Sequence, residues 1–418
     1  MASSLIGPSL IDFSYILSVS FSQVSLMITI CSLGYCIGAL VGGFAFQYVN
    51  RQLFVIIFMS ITSLICAFFP FSPSLIIFLA LGFVFSFGNG TLDVAQNTWI
   101  IEMWQEHSNS ILQLAQFMYG LGMIVAPIIE QSYLTGDPTT TNVTHNDTLT
   151  LFHQHKNNIS DNDKNNINIS GYDEHTVTGN HRKMLLSKPF AVIGFVEFSA
   201  IILLMLMHCY KKYEPPMKVE NNQSEKKLFQ SAPKLFKILM ITLISLFLSF
   251  YCSIEFCHFS YLVSYAQYKM KMTASDGALL QSVVSASYTG MRAAGALIAL
   301  KLSSEKMIII HLAVVICSNI ALLFFSYSRT LFWVFNIVLG AGFSTMWGSI
   351  FSFAEKYLVF GNLEGTMLIT ISSGVSMISL YFVGSLIKSH PEMLIYFNLV
   401  NCLVTIILFL SVKIIIVI

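Results

Sequence analysis

Apolar residues occur along this chain in long, nearly uninterrupted runs, rather than in the one-sided or alternating patterns of soluble helices and strands. A membrane-spanning helix needs about 20 apolar residues. Eleven runs are long enough, near residues 24–48, 53–71, 74–101, 110–131, 188–208, 236–262, 277–300, 307–326, 330–354, 365–387 and 393–417. A shorter run from Ala2 to about Leu17 reaches only about 24 Å as a helix. We therefore predict an all-α polytopic membrane protein of twelve helices, the first of them truncated.

Two polar inserts divide these runs. Residues 132–186 are rich in Asn, Thr, His and Asp, while residues 209–235 carry six lysines and a Pro-Pro pair. The predicted organisation is helices 1–5 in 1–131, a loop in 132–186, helix 6 in 187–208, a central loop in 209–235 and helices 7–12 in 236–418. Two six-helix halves around a charged central loop are typical of transporters built from structural repeats.

The two inserts also predict the orientation in the membrane. The longer one carries N-x-S/T sequences, the acceptors of N-glycosylation, at Asn142, Asn146, Asn158 and Asn168. Four acceptors in one loop favour an extracellular or lumenal face, although an Asn-rich stretch also produces such sequences by chance. With the amino terminus inside, the lysine-rich insert falls in the cytoplasm, as the positive-inside rule requires. We expect a glycoprotein of the plasma membrane rather than of an internal membrane.

The composition excludes several functions. Only 10% of residues are charged and the net charge is +1, whereas soluble domains carry about 25% charged residues and nucleic-acid-binding proteins carry a basic surface. No pattern resembles a catalytic triad, a phosphate-binding loop or a metal-ligand cluster, and the eight cysteines show no ligand spacing. We therefore expect no enzyme, no metal site, no cofactor and no nucleic acid; the expected partners are the lipid bilayer and a small solute.

Glycines in the second run predict close helix packing. Gly34, Gly38 and Gly42 form two overlapping G-x-x-x-G steps. Because such steps leave one face of a helix without side chains, they allow a neighbouring helix to approach closely.

Acidic residues inside the spans are the first candidates for function, since an ionisable group there costs about 2.5–3.5 kcal/mol. Asp12, Asp93 and Glu255 fall on the first, fourth and seventh predicted helices, which line the central cavity in a two-bundle transporter. A carboxylate facing such a cavity can accept sugar hydroxyls, bind Na⁺ or take up a proton. The alternative for each is a structural hydrogen bond or ion pair.

Further polar residues extend this candidate site. Asn97 follows Asp93 by four residues, so both lie on one helix face. Arg292, on the eighth helix, either binds the solute or forms an ion-pair latch. Carboxylates and amides near aromatic rings suit a polyhydroxylated solute. The residues added to the site are Asn97, Gln113, Gln116, His258 and Arg292.

Several segments resemble a known family. The stretch from Gly43 to Arg51 resembles the major facilitator superfamily loop G-x-x-x-D-R-x-G-R, with Gln47 in place of the acid. More specific segments are Gly7–Asp12, Leu92–Asn97, Gln116–Pro127, Ile254–Glu255, Ser264–Ala266 and Gly290–Arg292. Together they are similar to the sodium-dependent glucose transporter branch of that superfamily, akin to the facilitator-domain-containing protein 4 group.

This resemblance implies a major facilitator fold of two pseudo-symmetric six-helix bundles that transports a glucose-like sugar with Na⁺ by alternating access. It also implies polar family positions at Asp12, Asp93, Asn97, Glu255 and Arg292. Two other hypotheses remain open. One is a facilitator or proton-coupled carrier of another small polar solute, and the other is a transport-dead membrane sensor or scaffold.

Overall fold

A computed structural model describes residues 2–46, 48–104, 108–138, 174–213, 234–299, 301–357 and 362–417. Within these ranges the chain is helical and contains no strand, which confirms the predicted all-α fold. The α-helices are α1 Ser3–Ile16, α2 Phe21–Ala45, α3 Arg51–Phe68, α4 Leu75–Trp104, α5 Ser108–Glu130, α6 Glu174–Tyr210, α7 Lys234–Met270, α8 Ala274–Ile298, α9 Ser304–Phe325, α10 Arg329–Phe343, α11 Met346–Tyr357, α12 Asn362–Leu386 and α13 Met393–Val417.

Most of these helices are membrane-spanning by length and composition. Nine segments of the described ranges meet both requirements, and one of them is formed by α10 and α11 together, with a break at Ser344 and Thr345. Helices α1, α8 and α12 complete a set of twelve crossings in the described residues. Crossing numbers therefore equal helix numbers up to α9; crossing 10 is α10 with α11, crossing 11 is α12 and crossing 12 is α13.

The helices form two sets of six crossings. In the N-terminal set α2 packs on α4, and α3 packs on α4 and α6; in the C-terminal set α7 packs on α12 and α13, and α10 on α8 and α9. Contacts between the sets join α2 to α12, α5 to α8 and α1 to α7. Crossing 2 thus meets crossing 11 and crossing 5 meets crossing 8, a pairing with two-fold pseudo-symmetry.

Glycine residues allow the closest approaches between helices, as the G-x-x-x-G steps of α2 predict. A Cβ at Gly38 would overlap the Phe87 carbonyl oxygen of α4, and a Cβ at Gly34 would overlap that of Phe83. Between the two sets, a Cβ at Gly120 of α5 would overlap the Thr289 hydroxyl of α8. Helix packing here rests on backbone contact, because lipid provides no hydrophobic drive between apolar helices.

Helix α6 differs from the prediction. It begins at Glu174, inside the segment predicted as loop, and not at 187. Its added first turns contain Arg182, whose side chain is only 4% exposed because it pairs with Asp12 of α1. The pairing offsets the cost of placing a charged residue among helices. The four predicted glycosylation asparagines lie outside the described residues.

The two ends of the helix array are named here by their neighbouring inserts. The sequon-loop end contains the C-terminus of α1, the C-terminus of α5 and the N-terminus of α6, on either side of residues 139–173. The central-loop end contains the C-terminus of α6 and the N-terminus of α7, on either side of residues 214–233. Ion pairs lie at both ends: Asp12–Arg182, Lys269–Glu392 and Asp276–Arg329 at the first, and Arg51–Glu102, Glu305–Lys356 and Glu305–Lys413 at the second.

Candidate solute-binding site

A cavity lies where α5 of the N-terminal set faces α8 of the C-terminal set. Its volume is about 160 Å³, and it is lined by Gln113, Phe117, Arg292 and Ala293. Arg292 donates from Nη1 to Oε1 of Gln116 at 3.2 Å, and its guanidinium carbon lies 4.9 Å from the centre of the Tyr288 ring. The predicted residues Gln113, Gln116 and Arg292 are therefore brought together, and the Arg292 hydrogen bond crosses between the two helix sets.

Glu255 of α7 provides the carboxylate on the C-terminal side. Tyr251, one helical turn earlier, donates its hydroxyl to Oε2 at 2.7 Å, and Tyr288 of α8 donates to Oε1 at 3.0 Å. Glu255 is also within electrostatic range of Arg292. Two hydroxyl donors and a nearby guanidinium offset part of the cost of burying this carboxylate, which is 6% exposed.

Asp93 of α4 provides the carboxylate on the N-terminal side. It is exposed, and its Oδ2 accepts the Tyr35 hydroxyl of α2 at 2.6 Å. Asn97 donates from Nδ2 to the other oxygen at 3.5 Å, so these two residues share a helix face as their spacing predicts. The Tyr119 hydroxyl of α5 lies within electrostatic range of Asp93, Glu255 and Arg292. The two carboxylates and the guanidinium therefore surround one region between the helix sets.

Asp12, the third predicted carboxylate, lies in a different environment. Its side chain is 1% exposed and pairs with Arg182 Nη1 at 2.5 Å. The backbone N–H groups of Thr135 and Gly136 donate to its two oxygens at 3.2–3.3 Å. Of the two interpretations of Asp12, this geometry supports the structural ion pair.

His258 is also separate from the exposed residues of the cavity. It is fully buried within the C-terminal set, with its ring 5.7 Å from that of Phe343. Neither of its ring nitrogens makes a hydrogen bond of good geometry. A direct contact between His258 and a solute would require a rearrangement of this set.

The sequence analysis missed the tyrosines of the site. Tyr35, Tyr119, Tyr251 and Tyr288 supply hydroxyls or rings next to the charged groups. Tyr251 and Tyr288 carried a sequence signal, because they precede Glu255 and Arg292 by four residues and thus share a helix face with them. Tyr35 meets Asp93 through packing of α2 on α4, which spacing along the chain does not predict.

Two sets of six crossings, with polar groups from both sets around one cavity, define the class of protein as a helical membrane transporter rather than an enzyme. The family model of the Major Facilitator Superfamily matches residues 1–135 and 187–362, and the chain belongs to this family.

Relatives by sequence include sodium-dependent glucose transporter 1 of Homo sapiens, 24% identical over 390 residues that cover 93% of this chain and 71% of that protein. The protein of the same name from Xenopus laevis is 24% identical, covering 98% of this chain and 78% of that protein. Major facilitator superfamily domain-containing protein 4A of Homo sapiens is 21% identical, covering 93% and 84%.

Solved structures of similar fold include the fucose:proton symporter of E. coli, with a TM-score of 0.61, 17% identity and coverage of 99% of this chain and 97% of that chain. The xylose transporter of E. coli, in a partially occluded inward-open conformation, has a TM-score of 0.68 at 11% identity and covers 98% and 92%. These two likenesses confirm the predicted major facilitator fold.

Proposed function

We propose that this protein is a secondary transporter that moves a glucose-like sugar together with Na⁺ by alternating access. The observation that supports it best is the placement of Asp93 and Glu255 on opposite helix sets, with Tyr119 and Arg292 close to Glu255 and Tyr119 also close to Asp93. The similarity to sodium-dependent glucose transporters supports the same solute and the same ion.

The chemistry of the site suits a polyhydroxylated solute. Carboxylate oxygens accept hydrogen bonds from sugar hydroxyls, while the amides of Gln113 and Asn97 can both donate and accept. Phe117 in the cavity wall offers an aromatic face to the apolar side of a sugar ring. In this proposal Asp93, which is the more exposed of the two carboxylates, binds the cation, and Glu255 with Arg292 orients the sugar.

Alternating access requires contacts between the helix sets that break and reform. One such contact is Arg292 to Gln116, which lies toward the central-loop end because α5 begins there at Ser108. Another is the backbone N–H of Asp137, which donates to Oε1 of Gln267 on α7 at 3.1 Å at the sequon-loop end. This structure makes both contacts, and we propose that each open state of the transport cycle releases one of them and keeps the other. The sequon-loop end faces the cell exterior in this proposal, with the protein in the plasma membrane.

Uptake of labelled glucose tests the function directly. Cells expressing the protein should take up glucose faster in Na⁺ than in choline. Asp93→Asn and Glu255→Gln should each lower this uptake about 10–100-fold, because a hydrogen bond to a charged group contributes about 1.5–3 kcal/mol. Asp276→Asn is the matched control, since its carboxylate pairs with Arg329 at an exposed position, and it should leave uptake unchanged once surface expression is equalised.

The other outcomes identify the competing functions. Uptake driven by a pH gradient without Na⁺ would establish a proton-coupled carrier, and uptake without either gradient a facilitator. If a folded protein at the cell surface moves no labelled hexose or other polar solute, the transport proposal is wrong and the sensor or scaffold hypothesis stands.

A further inference from the structure

Glu130, the last residue of α5, has an environment that the candidate solute site does not explain. It is 0% exposed, and neither carboxylate oxygen has a hydrogen-bond partner. The Ser9 side chain of α1 lies close to it, but the Ser9 hydroxyl donates its proton to the Leu5 carbonyl at 2.5 Å. The two Glu130 oxygens and the Ser9 oxygen therefore lie together in one buried corner, where the Ser9 hydroxyl is the one group of the described residues within reach of Glu130 and its proton is already donated to Leu5.

The charges around this corner do not balance. Asp12 lies within electrostatic range of Glu130, and both carboxylates are buried. Arg182, the guanidinium buried beside Asp12, directs Nη1 to Asp12 and to the Gly136 carbonyl at 2.7 Å. The Cys66 thiol of α3, which is uncharged as a thiol, also lies within electrostatic range of Glu130. Tyr15 and Asp137 lie on the Asp12–Arg182 side of the corner. An unpaired buried carboxylate costs several kcal/mol, so the missing partner is a positive charge.

The corner also touches a contact between the two helix sets. Thr135 and Gly136 bind Asp12 through their N–H groups, and the next residue, Asp137, donates to Gln267 of α7. Gly136 has φ +71°, and a Cβ there would overlap the Gln267 side chain, so the segment passes close to the C-terminal set. A change of charge beside Asp12 thus reaches the C-terminal set through three consecutive residues.

We propose that the two carboxylate oxygens of Glu130 and the Ser9 hydroxyl oxygen form a buried site for a monovalent cation, Na⁺ or a proton, beside the Asp12–Arg182 pair. Binding neutralises Glu130 and, through residues 135–137, stabilises the Asp137–Gln267 contact at the sequon-loop end. Oxygen ligands of this kind suit a hard cation. Only the link to solute movement rests on the proposed function; cation binding does not.

Thermal unfolding of the purified full-length protein in lipid nanodiscs tests the site. NaCl is varied against choline chloride at constant ionic strength, and pH is varied separately without Na⁺. A ligand that binds the folded state raises Tm with concentration. A saturable rise with Na⁺ that is absent from Glu130→Gln identifies the ion as Na⁺. Other carboxyl groups, Glu392 among them, also make Tm depend on pH, so a proton is identified by the part of the pH dependence in choline that Glu130→Gln lacks.

Two further variants keep the test decisive. Glu197→Gln is the matched control for the Na⁺ series, because Glu197 of α6 also has an unpartnered buried oxygen; this variant should keep the Na⁺ response of the unmodified protein. Ser9→Ala leaves the carboxylate intact and should raise the cation concentration at half-effect at least three-fold; it replaces Glu130→Gln if that variant does not fold. The proposal is overturned if the unmodified protein responds to neither cation, if Glu130→Gln responds normally, or if Ser9→Ala, used alone, has normal affinity.

Uptake measurements separate this proposal from the proposed function. Na⁺-dependent glucose uptake that survives in Glu130→Gln, with an unchanged Tm response, would leave the function standing and remove the cation site. A Na⁺ response of Tm that disappears in Glu130→Gln, in a protein that takes up no glucose, would establish the site and refute the function.

Discussion

The two halves of the protein place ion pairs at the same positions with the charges reversed. At the sequon-loop end, Asp12 on crossing 1 pairs with Arg182 on crossing 6. In the C-terminal half, Lys269 on crossing 7 pairs with Glu392, directly before crossing 12. The acid and the base have exchanged places between the halves.

The central-loop end repeats this exchange. Arg51 at the start of crossing 3 pairs with Glu102 at the end of crossing 4, while Glu305 at the start of crossing 9 pairs with Lys356 at the end of crossing 10. Each residue of the second pair lies 254 positions after its counterpart, 305 against 51 and 356 against 102. The two halves therefore share the positions of their ion pairs but not the residue types at those positions. A comparison of identical residues between the halves for this reason detects only a faint repeat.

The pairs differ in burial, and burial decides how much each contributes. Asp12 and Arg182 are 1% and 4% exposed, but Glu392 and Lys269 are 37% and 30% exposed. A buried charge that loses its partner is strongly destabilising, whereas an exposed pair contributes about 0–1 kcal/mol. The N-terminal half should therefore depend on its sequon-loop pair far more than the C-terminal half.

Removal of the buried pair should produce the largest effect. Arg182→Leu leaves Asp12 without a counter-ion and should lower the free energy of unfolding by about 3–5 kcal/mol. The measurement is denaturant or thermal unfolding of the purified protein, with Lys269→Leu as the matched variant in the C-terminal half, expected to change it by about 1 kcal/mol or less. Asp12→Asn combined with Arg182→Leu should recover part of the loss. Equal effects of Arg182→Leu and Lys269→Leu would refute the comparison.

Exchange of the charges at the half-buried central-loop pair should have an intermediate effect. Arg51 donates to both Glu102 oxygens, from Nη2 at 3.0 Å and from Nε at 3.3 Å. Arg51→Glu or Glu102→Arg alone should therefore destabilise by about 1.5–3 kcal/mol. The double exchange should recover most of this loss, because it places an acid at the start of crossing 3 and a base at the end of crossing 4, the arrangement of Glu305 and Lys356 in the C-terminal half.

The helix dipoles favour the same result. A glutamate in the first turn of α3 and an arginine in the last turn of α4 would each gain about 0.3–1 kcal/mol. Against this, the Arg51 hydrogen bond to the Phe46 carbonyl at 2.8 Å would be lost. A double-mutant cycle measures the coupling. A double exchange as unstable as the sum of the single changes would show that the polarity of the N-terminal pair is fixed by its surroundings.

The fold was largely predictable from sequence, since apolar runs marked the crossings and polar inserts divided them into two sets. The start of α6 was not predictable in this way. Residues 174–183 are mostly polar, and helix propensity alone does not place a polar turn among other helices. The Asp12–Arg182 pair, which joins residues 170 positions apart, explains why this turn is helical and packed.

Candidate residues were predictable where the signal was local. Asp93 and Asn97 share a helix face by spacing alone, and the structure brings their side chains together. Glu130 escaped notice because it lies at the border of an apolar run, where a carboxylate normally reaches water. Its burial follows from the packing of α1 against α5, which no spacing rule describes.

The smallest effect is expected at the exposed C-terminal pair, as a dependence on pH. The Lys269 ammonium lowers the pKa of the Glu392 carboxyl below its usual value of 4.5. A carboxyl whose folded-state pKa is lowered contributes stability above its unfolded pKa and loses it as pH falls through the folded value. Glu392→Gln should therefore lower Tm slightly at pH 7, and the difference should shrink below about pH 4.5 and vanish in stronger acid. Because solvent screens this pair, the free-energy difference should be about 0.2–1 kcal/mol. A difference at pH 7 as large as that of Arg182→Leu would show that the two halves depend equally on their sequon-loop pairs.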